Sequence, residues 1–154
     1  MKINQFGFGG LQIVLSIAVI GMMATIAVPQ YQGFMSKAKL TEAFNLAGES
    51  RKKVSEFFMV SGRFPQSEGE LSAVKTGTLT PPEHVREMVI ERNASQGDLL
   101  IKVFLKQGVV ENPAGGEQYI YVAGNQPNGG SYALEWSCGG SGVPVDLLPE
   151  DCQS

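Results

Sequence analysis

The chain has 154 residues, which suits one domain with a modest hydrophobic core. Its formal net charge of -3 and its pI near 5.2 argue against a nucleic-acid-binding protein that relies on a broad basic surface. The two cysteines, Cys138 and Cys152, form no CxxC pair, and His84 is the only histidine, so the sequence gives little support to a zinc site. In an exported chain such a pair favours one disulfide; the alternative is two buried free thiols.

The first predicted element is an apolar stretch, Leu11–Val28, which contains no charged residue and only three polar ones. Its length is close to that needed to span a bilayer as a helix. It lacks a small-residue cleavage site at its far end, where a secretory signal is cut, and it leads directly into a charged helical pattern. We therefore expect the stretch to be retained as a membrane anchor.

The residues around this stretch resemble the N-terminus of type IV pilins. Gly7 and Phe8 precede it, and residues 26–32 (IAVPQYQ) end it, as in that family. In type IV pilins a prepilin peptidase cuts between a Gly and a Phe, and the new Phe amine is N-methylated. The resemblance therefore implies a leader peptide, residues 1–7, cleavage between Gly7 and Phe8, and methylation of Phe8.

The same resemblance implies how the subunit assembles. An apolar segment, residues 8–29, would lie in the inner membrane before assembly and in the core of a helical homopolymer afterwards. Gly21 falls where these pilins commonly carry a glycine, and Pro29 lies at the family's usual spacing from the cleavage point. Gln12, Gly21 and Pro29 are thus expected to govern subunit packing, and Pro29 to kink or loosen the helix.

Gln12 departs from the family pattern. Type IV pilins normally carry a Glu at the fifth position of the mature chain, where it is thought to neutralise the N-terminal amine of a neighbouring subunit. Gln12 keeps a carbonyl acceptor but loses the Coulombic attraction, and a charge in hydrocarbon is costly unless it is paired. Some minor subunits of related systems lack this Glu, so Gln12 favours a minor pilin or pseudopilin as the alternative.

After Pro29 the apolar residues recur at intervals of three, four and seven, which predicts an amphipathic helix. They are Leu40, Ala43, Phe44, Ala47, Val54, Phe57 and Phe58. Stop signals follow at Ser61–Gly62, so one long helix is predicted over residues 8–61. We interpret the basic run at residues 51–53 as a solvated face rather than a DNA-binding site, because acidic residues flank it.

Residues 62–154 are predicted to form a globular α+β domain. Residues 63–98 are expected to be irregular because Pro and Gly recur there, and His84 is expected to lie exposed in a loop. Four strands are predicted, at Glu87–Glu91, Leu99–Leu105, Tyr119–Val122 and Tyr132–Ser137. Short connections favour an antiparallel sheet with one face covered by the amphipathic half of the helix, which agrees with the pilin fold.

The C-terminal segment resembles the disulfide-closed loop of pilins. The resemblance implies that Cys138 and Cys152 are bonded, and that residues 139–151 and about 63–98 face outward on the filament. Calcium could in principle be bound by the carboxylates of Asp146, Glu150 and Asp151. No calcium-binding loop is evident around them, so we expect no metal site.

The sequence contains no phosphate-binding loop and no recognisable nucleophile motif, so neither catalysis nor a cofactor is expected. The leading interpretation is a type IV pilus subunit that interacts with itself, the peptidase and the pilus assembly machinery. Adhesion, twitching motility and DNA uptake are what the resemblance implies, without direct nucleic-acid binding. An alternative of another class is a membrane-anchored binding domain that never polymerises.

Overall fold

The structure is a computed structural model that describes residues 6–75, 82–93, 98–111, 115–127 and 133–153. The side chains of residues 6–8, 25–30, 93 and 98 lie outside this description. The chain forms two compact units, Met1–Met35 and Ser36–Ser154. We call the second one the head unit. These bounds do not test the predicted division into residues 1–7, 8–61 and 62–154.

The first element is helix α1, Phe6–Ser61. It begins two residues before the predicted start and continues through Pro29. Its end is the predicted one, and Gly62 explains why. Gly62 has a φ of 70°, and its N–H donates to the Phe58 carbonyl at 2.8 Å. This left-handed residue closes the last turn at low cost because glycine has no Cβ.

A second helix, α2, Glu68–Val74, corrects the prediction that residues 63–98 are irregular. It starts at a capping box in which Ser67 accepts from the Glu70 N–H and Glu70 accepts from the Ser67 N–H. This reciprocal pair satisfies two backbone donors that would otherwise lack partners.

Four strands form one antiparallel sheet in the order β1-β2-β3-β4. They are β1 Val85–Asn93, β2 Asp98–Leu105, β3 Tyr119–Asn125 and β4 Glu135–Ser141. The existence of four strands in an antiparallel sheet was predicted, whereas all four sets of bounds were wrong. β2 begins at Asp98 instead of Leu99. β1 is longer at both ends, β3 is longer at its C-terminus, and β4 lies further along the chain than Tyr132–Ser137. Tyr132 itself lies outside the described residues.

The core of the head unit lies between α1 and one face of the sheet. From α1, five apolar residues at helical spacing are buried: Leu40, Ala43, Ala47, Val54 and Phe58. Alternate residues of β2 and β3 meet them, including Ile101 and Ile120. Burial of each large side chain stabilises the fold by about 1.5–3 kcal/mol. The α+β architecture with an antiparallel sheet under the amphipathic half of a long helix is therefore confirmed.

The opposite face of the sheet is only half-buried and carries paired aromatic and charged groups. The rings of Phe104 and Tyr119 lie 5.2 Å apart, and Lys102 donates to Glu91 at 2.8 Å. His84, predicted to be exposed, lies half-buried in the turn before β1, and its carbonyl accepts from the Lys106 N–H. This hydrogen bond holds the turn against the residue that follows β2, so His84 is less exposed than expected for a loop residue.

Candidate assembly segment and surface loop

The N-terminal part of α1 exposes a long apolar surface. Every residue from 9 to 24 is exposed, and the large apolar side chains range from 50% exposed at Val19 to 71% at Met22. A helix that is apolar around its whole circumference is normally covered by another apolar phase or by other helices. Among the described residues, no helix contains a segment long and apolar enough to cross a membrane.

The predicted processing and assembly residues all lie along α1. Gly7 and Phe8 belong to its first turns, and the side chain of Phe8, like that of Pro29, lies outside the described residues. Gln12 is exposed, and its backbone carbonyl accepts from Ser16 Oγ at 2.8 Å. The five predicted residues (Gly7, Phe8, Gln12, Gly21 and Pro29) therefore lie at separate positions along one helix and do not form a single site.

Gly21 has open space around it. Apart from its neighbours and the nearby backbone of the helix, a Cβ placed there would meet no described atom within 4 Å. Among the residues whose side chains the structure describes, no contact requires a glycine at position 21.

The C-terminal loop is closed by a disulfide between Cys138 on β4 and Cys152, confirming the predicted bond. The Cα atoms are 4.8 Å apart, and the cysteines are separated by 14 positions. Two short 3-10 helices, Val145–Leu147 and Glu150–Cys152, occupy the loop. Between them, Leu148 is buried and packs over Gly140, which holds the loop against the sheet.

The loop exposes acidic side chains in its middle and next to the disulfide. Asp146, Glu150 and Asp151 are all exposed. In the part of the chain that the structure describes, no group of three or more His, Cys, Asp or Glu side chains is arranged to hold a metal ion.

A cleft of about 410 Å³ lies between α1 and the C-terminal loop, within the head unit. Its walls include Phe44, Arg51, Trp136 and the disulfide. The Arg51 guanidinium carbon lies 5.3 Å from the Trp136 ring centroid, a cation–π contact that joins α1 to β4. This cleft could not be predicted from the sequence, because its residues are distant in the chain and no periodicity relates them.

A second contact missed by sequence analysis anchors the segment after α1. Arg63 donates to both carboxylate oxygens of Glu70, at 2.7 and 3.1 Å, and the Gln66 and Ser67 N–H groups donate to the same carboxylate. The hydrogen bonds from Arg63, followed by those from the two backbone amides, lower the pKa of Glu70 from 4.5 to about 2. The Ser-x-x-Glu spacing was the signal that could have revealed the capping box.

A family match and several individual relatives all relate this chain to pilins and fimbrial proteins. The pilin family, described as bacterial filament proteins, matches residues 36–153. Fimbrial protein EcpC of Eikenella corrodens is 28% identical over 154 residues, covering 100% of this chain and 94% of that protein. Type IV major pilin protein PilE1 of Neisseria gonorrhoeae is 24% identical over 151 residues, covering 98% of this chain and 84% of the relative.

A fimbrial protein of Moraxella nonliquefaciens is 29% identical over 97 residues, covering 63% of this chain and 62% of its own. The family match spans most of the chain and coincides with the head unit, in which a long helix packs on a four-stranded antiparallel sheet. This chain belongs to the pilin family.

Proposed function

We propose that this chain is a type IV pilus subunit that polymerises through the N-terminal part of α1 into an extracellular filament. The observation that carries the proposal is the exposed apolar surface of residues 9–24. In a helical filament, neighbouring copies of the same segment would cover that surface. Full burial of each large apolar side chain would stabilise the filament by about 1.5–3 kcal/mol. Pilins and fimbrial proteins among the relatives support the assignment.

Maturation is part of the proposal and rests on the resemblance at the N-terminus. Prepilin peptidase would cut between Gly7 and Phe8, remove residues 1–7, and leave a Phe8 amine for N-methylation. The precursor would be held in the inner membrane by residues 8–29 and passed to the pilus assembly machinery. The mature subunit would then consist of the long helix to residue 61 and the domain formed by residues 62–154.

The filament would act on the cell surface in adhesion, twitching motility or DNA uptake, the activities implied by the family. The closed loop between Cys138 and Cys152 would contribute to the outer surface. Its exposed acidic side chains support a solvent-facing position. Direct nucleic-acid binding, an enzymatic role and a cofactor form no part of this proposal.

Gln12 supports a second candidate, a minor pilin or pseudopilin. A glutamine cannot neutralise a charged amine in an apolar core, although its side chain can still accept a hydrogen bond from one. Replacing Gln12 with Glu separates the two roles. Unchanged or improved assembly would mean that the missing charge is tolerated, as the major-subunit role requires. Failed assembly would mean that Gln12 has a partner for which a Glu cannot replace it, which favours the second candidate.

The proposal is tested by filament formation in cells that produce this chain as their only pilin. Gly7→Glu should block cleavage and abolish surface filaments. Ile17→Asp should do the same without affecting cleavage, because it places a charge in the proposed apolar interface.

Val60→Asp is the matched control, since Val60 is 91% exposed on the same helix but lies in the head unit. Normal filaments in both Gly7→Glu and Ile17→Asp would refute the proposal. A full-length chain that stays in the membrane fraction in every variant would favour the non-polymerising membrane anchor.

A further inference from the structure

Charge is distributed unevenly along the chain. Residues 107–154 contain six acidic side chains and no Lys or Arg. Residues 1–61 contain six basic and three acidic side chains, and residues 62–106 are balanced. The small net charge of the whole chain therefore conceals a basic helix and an acidic C-terminal third.

The structure places both charges on the surface of the head unit. On the helix, Lys52 and Lys53 are exposed, and Lys52 lies on the side of α1 opposite the buried Ser50 and Val54. At the other end of the chain, the C-terminal loop exposes Asp146, Glu150 and Asp151. We call these the lysine pair and the acidic tip.

Within the described part of the chain neither group closes an ion pair, although Asp151 lines the same cleft as Arg51. Among the residues that the structure describes, the ion pairs are Arg63–Glu70, Arg86–Glu87, Arg86–Glu117 and Lys102–Glu91. The lysine pair has acidic neighbours at helical spacing, Glu49 and Glu56, but no ion pair closes with either. Both the lysine pair and the acidic tip therefore remain available to groups outside the subunit.

We propose that in the filament the acidic tip of one copy docks on the lysine pair of a neighbouring copy. This inference rests on the proposed function, because it requires a homopolymer. A helical polymer of identical subunits needs a heterologous contact, in which two different patches of the same molecule meet. Patches of opposite charge meet this requirement, and like-charge repulsion disfavours incorrect registers.

Charge reversal and a charge swap test the contact in cells that produce the full chain as their only pilin. Lys52→Glu with Lys53→Glu, or Glu150→Lys with Asp151→Lys, should each reduce the yield of sheared filaments by about fivefold or more. The four substitutions together should restore the yield, because they exchange the two charges but keep them complementary.

The matched control is Lys75→Glu with Arg92→Glu, which changes the net charge as much as reversal of the lysine pair does. Lys75 and Arg92 are exposed and belong to none of the ion pairs named above. This control should assemble like the wild type. If the wild type and the control form no filaments, the proposed function fails. If both form filaments, the filament yield of the reversed variants tests the docking contact.

Reversed variants that assemble normally would overturn the docking contact, as would a loss that the swap does not restore. Normal assembly with lost retention of duplex DNA in the lysine variant would overturn it too, and would assign the lysines to nucleic acid. Zero-length carbodiimide cross-linking of wild-type filaments needs no folded variant. Covalent dimers should contain isopeptides that join the lysine pair to the acidic tip, and dimers without such isopeptides would contradict the proposal.

Discussion

Removing the bond between Cys138 and Cys152 should destabilise the head unit by about 3 kcal/mol. In the chain-entropy model a disulfide that closes a loop of ~15 residues stabilises by that amount, and the cysteines here are separated by 14 positions. The loop is also held by the buried Leu148, so loss of the bond should loosen the loop without unfolding the sheet under native conditions.

The perturbation is Cys138→Ala with Cys152→Ala in the full chain, compared with the wild type before and after reduction. Trp136 is the only tryptophan and lies on β4, two residues from Cys138, so its fluorescence reports on the head unit alone. With the usual dependence on urea, a loss of about 3 kcal/mol should lower the unfolding midpoint by about 1–3 M.

Reduction of the wild type is the internal control, because it breaks the bond without removing the sulfur atoms. The reduced protein and the double alanine variant should unfold at similar urea concentrations. A change below about 1 kcal/mol in both would refute the reasoning, since loop closure would then contribute little to the stability of this head unit.

Three further predictions concern stability. Glu70 has its pKa lowered to about 2, so its contribution should be fully present above about pH 5 and lost as the pH falls from 4.5 towards 2. The difference in unfolding free energy between the wild type and Glu70→Gln, measured against pH, should shrink in that window; a difference that stays constant would contradict the assigned pKa. Phe58→Ala should lower the free energy of unfolding in urea by about 3–5 kcal/mol, because the ring is fully buried. The exposed control Val60→Ala should change it by less than about 0.5 kcal/mol. Equal losses in the two variants would contradict the assigned core. Gly62→Ala should cost about 1 kcal/mol in the same assay, because alanine must adopt the left-handed conformation of Gly62; no cost would mean that the helix end relaxes freely.

Much of the architecture could be predicted from the sequence because α1 and the central strands carry strong periodic signals. Leu40, Ala43 and Ala47 are buried as their spacing predicted, and the breakers at Ser61–Gly62 end the helix where expected. Ser50 was missed because it is polar, yet it is fully buried and donates to Met88 Sδ at 3.4 Å. Helical position, not residue type, decides its burial.

The strand bounds that were wrong depend on contacts that no local pattern records. The fourth strand was predicted to end at Ser137, with residues 139–151 in the loop, but Gly139 and Gly140 both belong to β4. A Cβ at position 139 would lie 2.5 Å from the hydroxyl oxygen of Tyr121 on β3, so the Tyr121 side chain could keep its place only opposite a glycine. Such a close approach can be found only once the strands are paired.

The candidate sites were predictable to different degrees. The bonded cysteines could be anticipated because two cysteines allow only one pairing within the chain. The contact between Arg51 and Trp136 could not be anticipated, since it joins a helix and a strand whose residues are 85 positions apart in sequence. Processing at Gly7 and Phe8 remains a prediction, because it concerns a reaction with another protein and not a contact within the chain.

The measurement that tests the account most directly is the intact mass and abundance of this chain in filaments sheared from cells. The account predicts a dominant species that begins at Phe8, one methyl group heavier and two hydrogens lighter than the reduced, unmodified chain. A trace species with the same modifications would instead support a minor pilin or pseudopilin. A full-length chain confined to the membrane fraction would contradict the filament assignment.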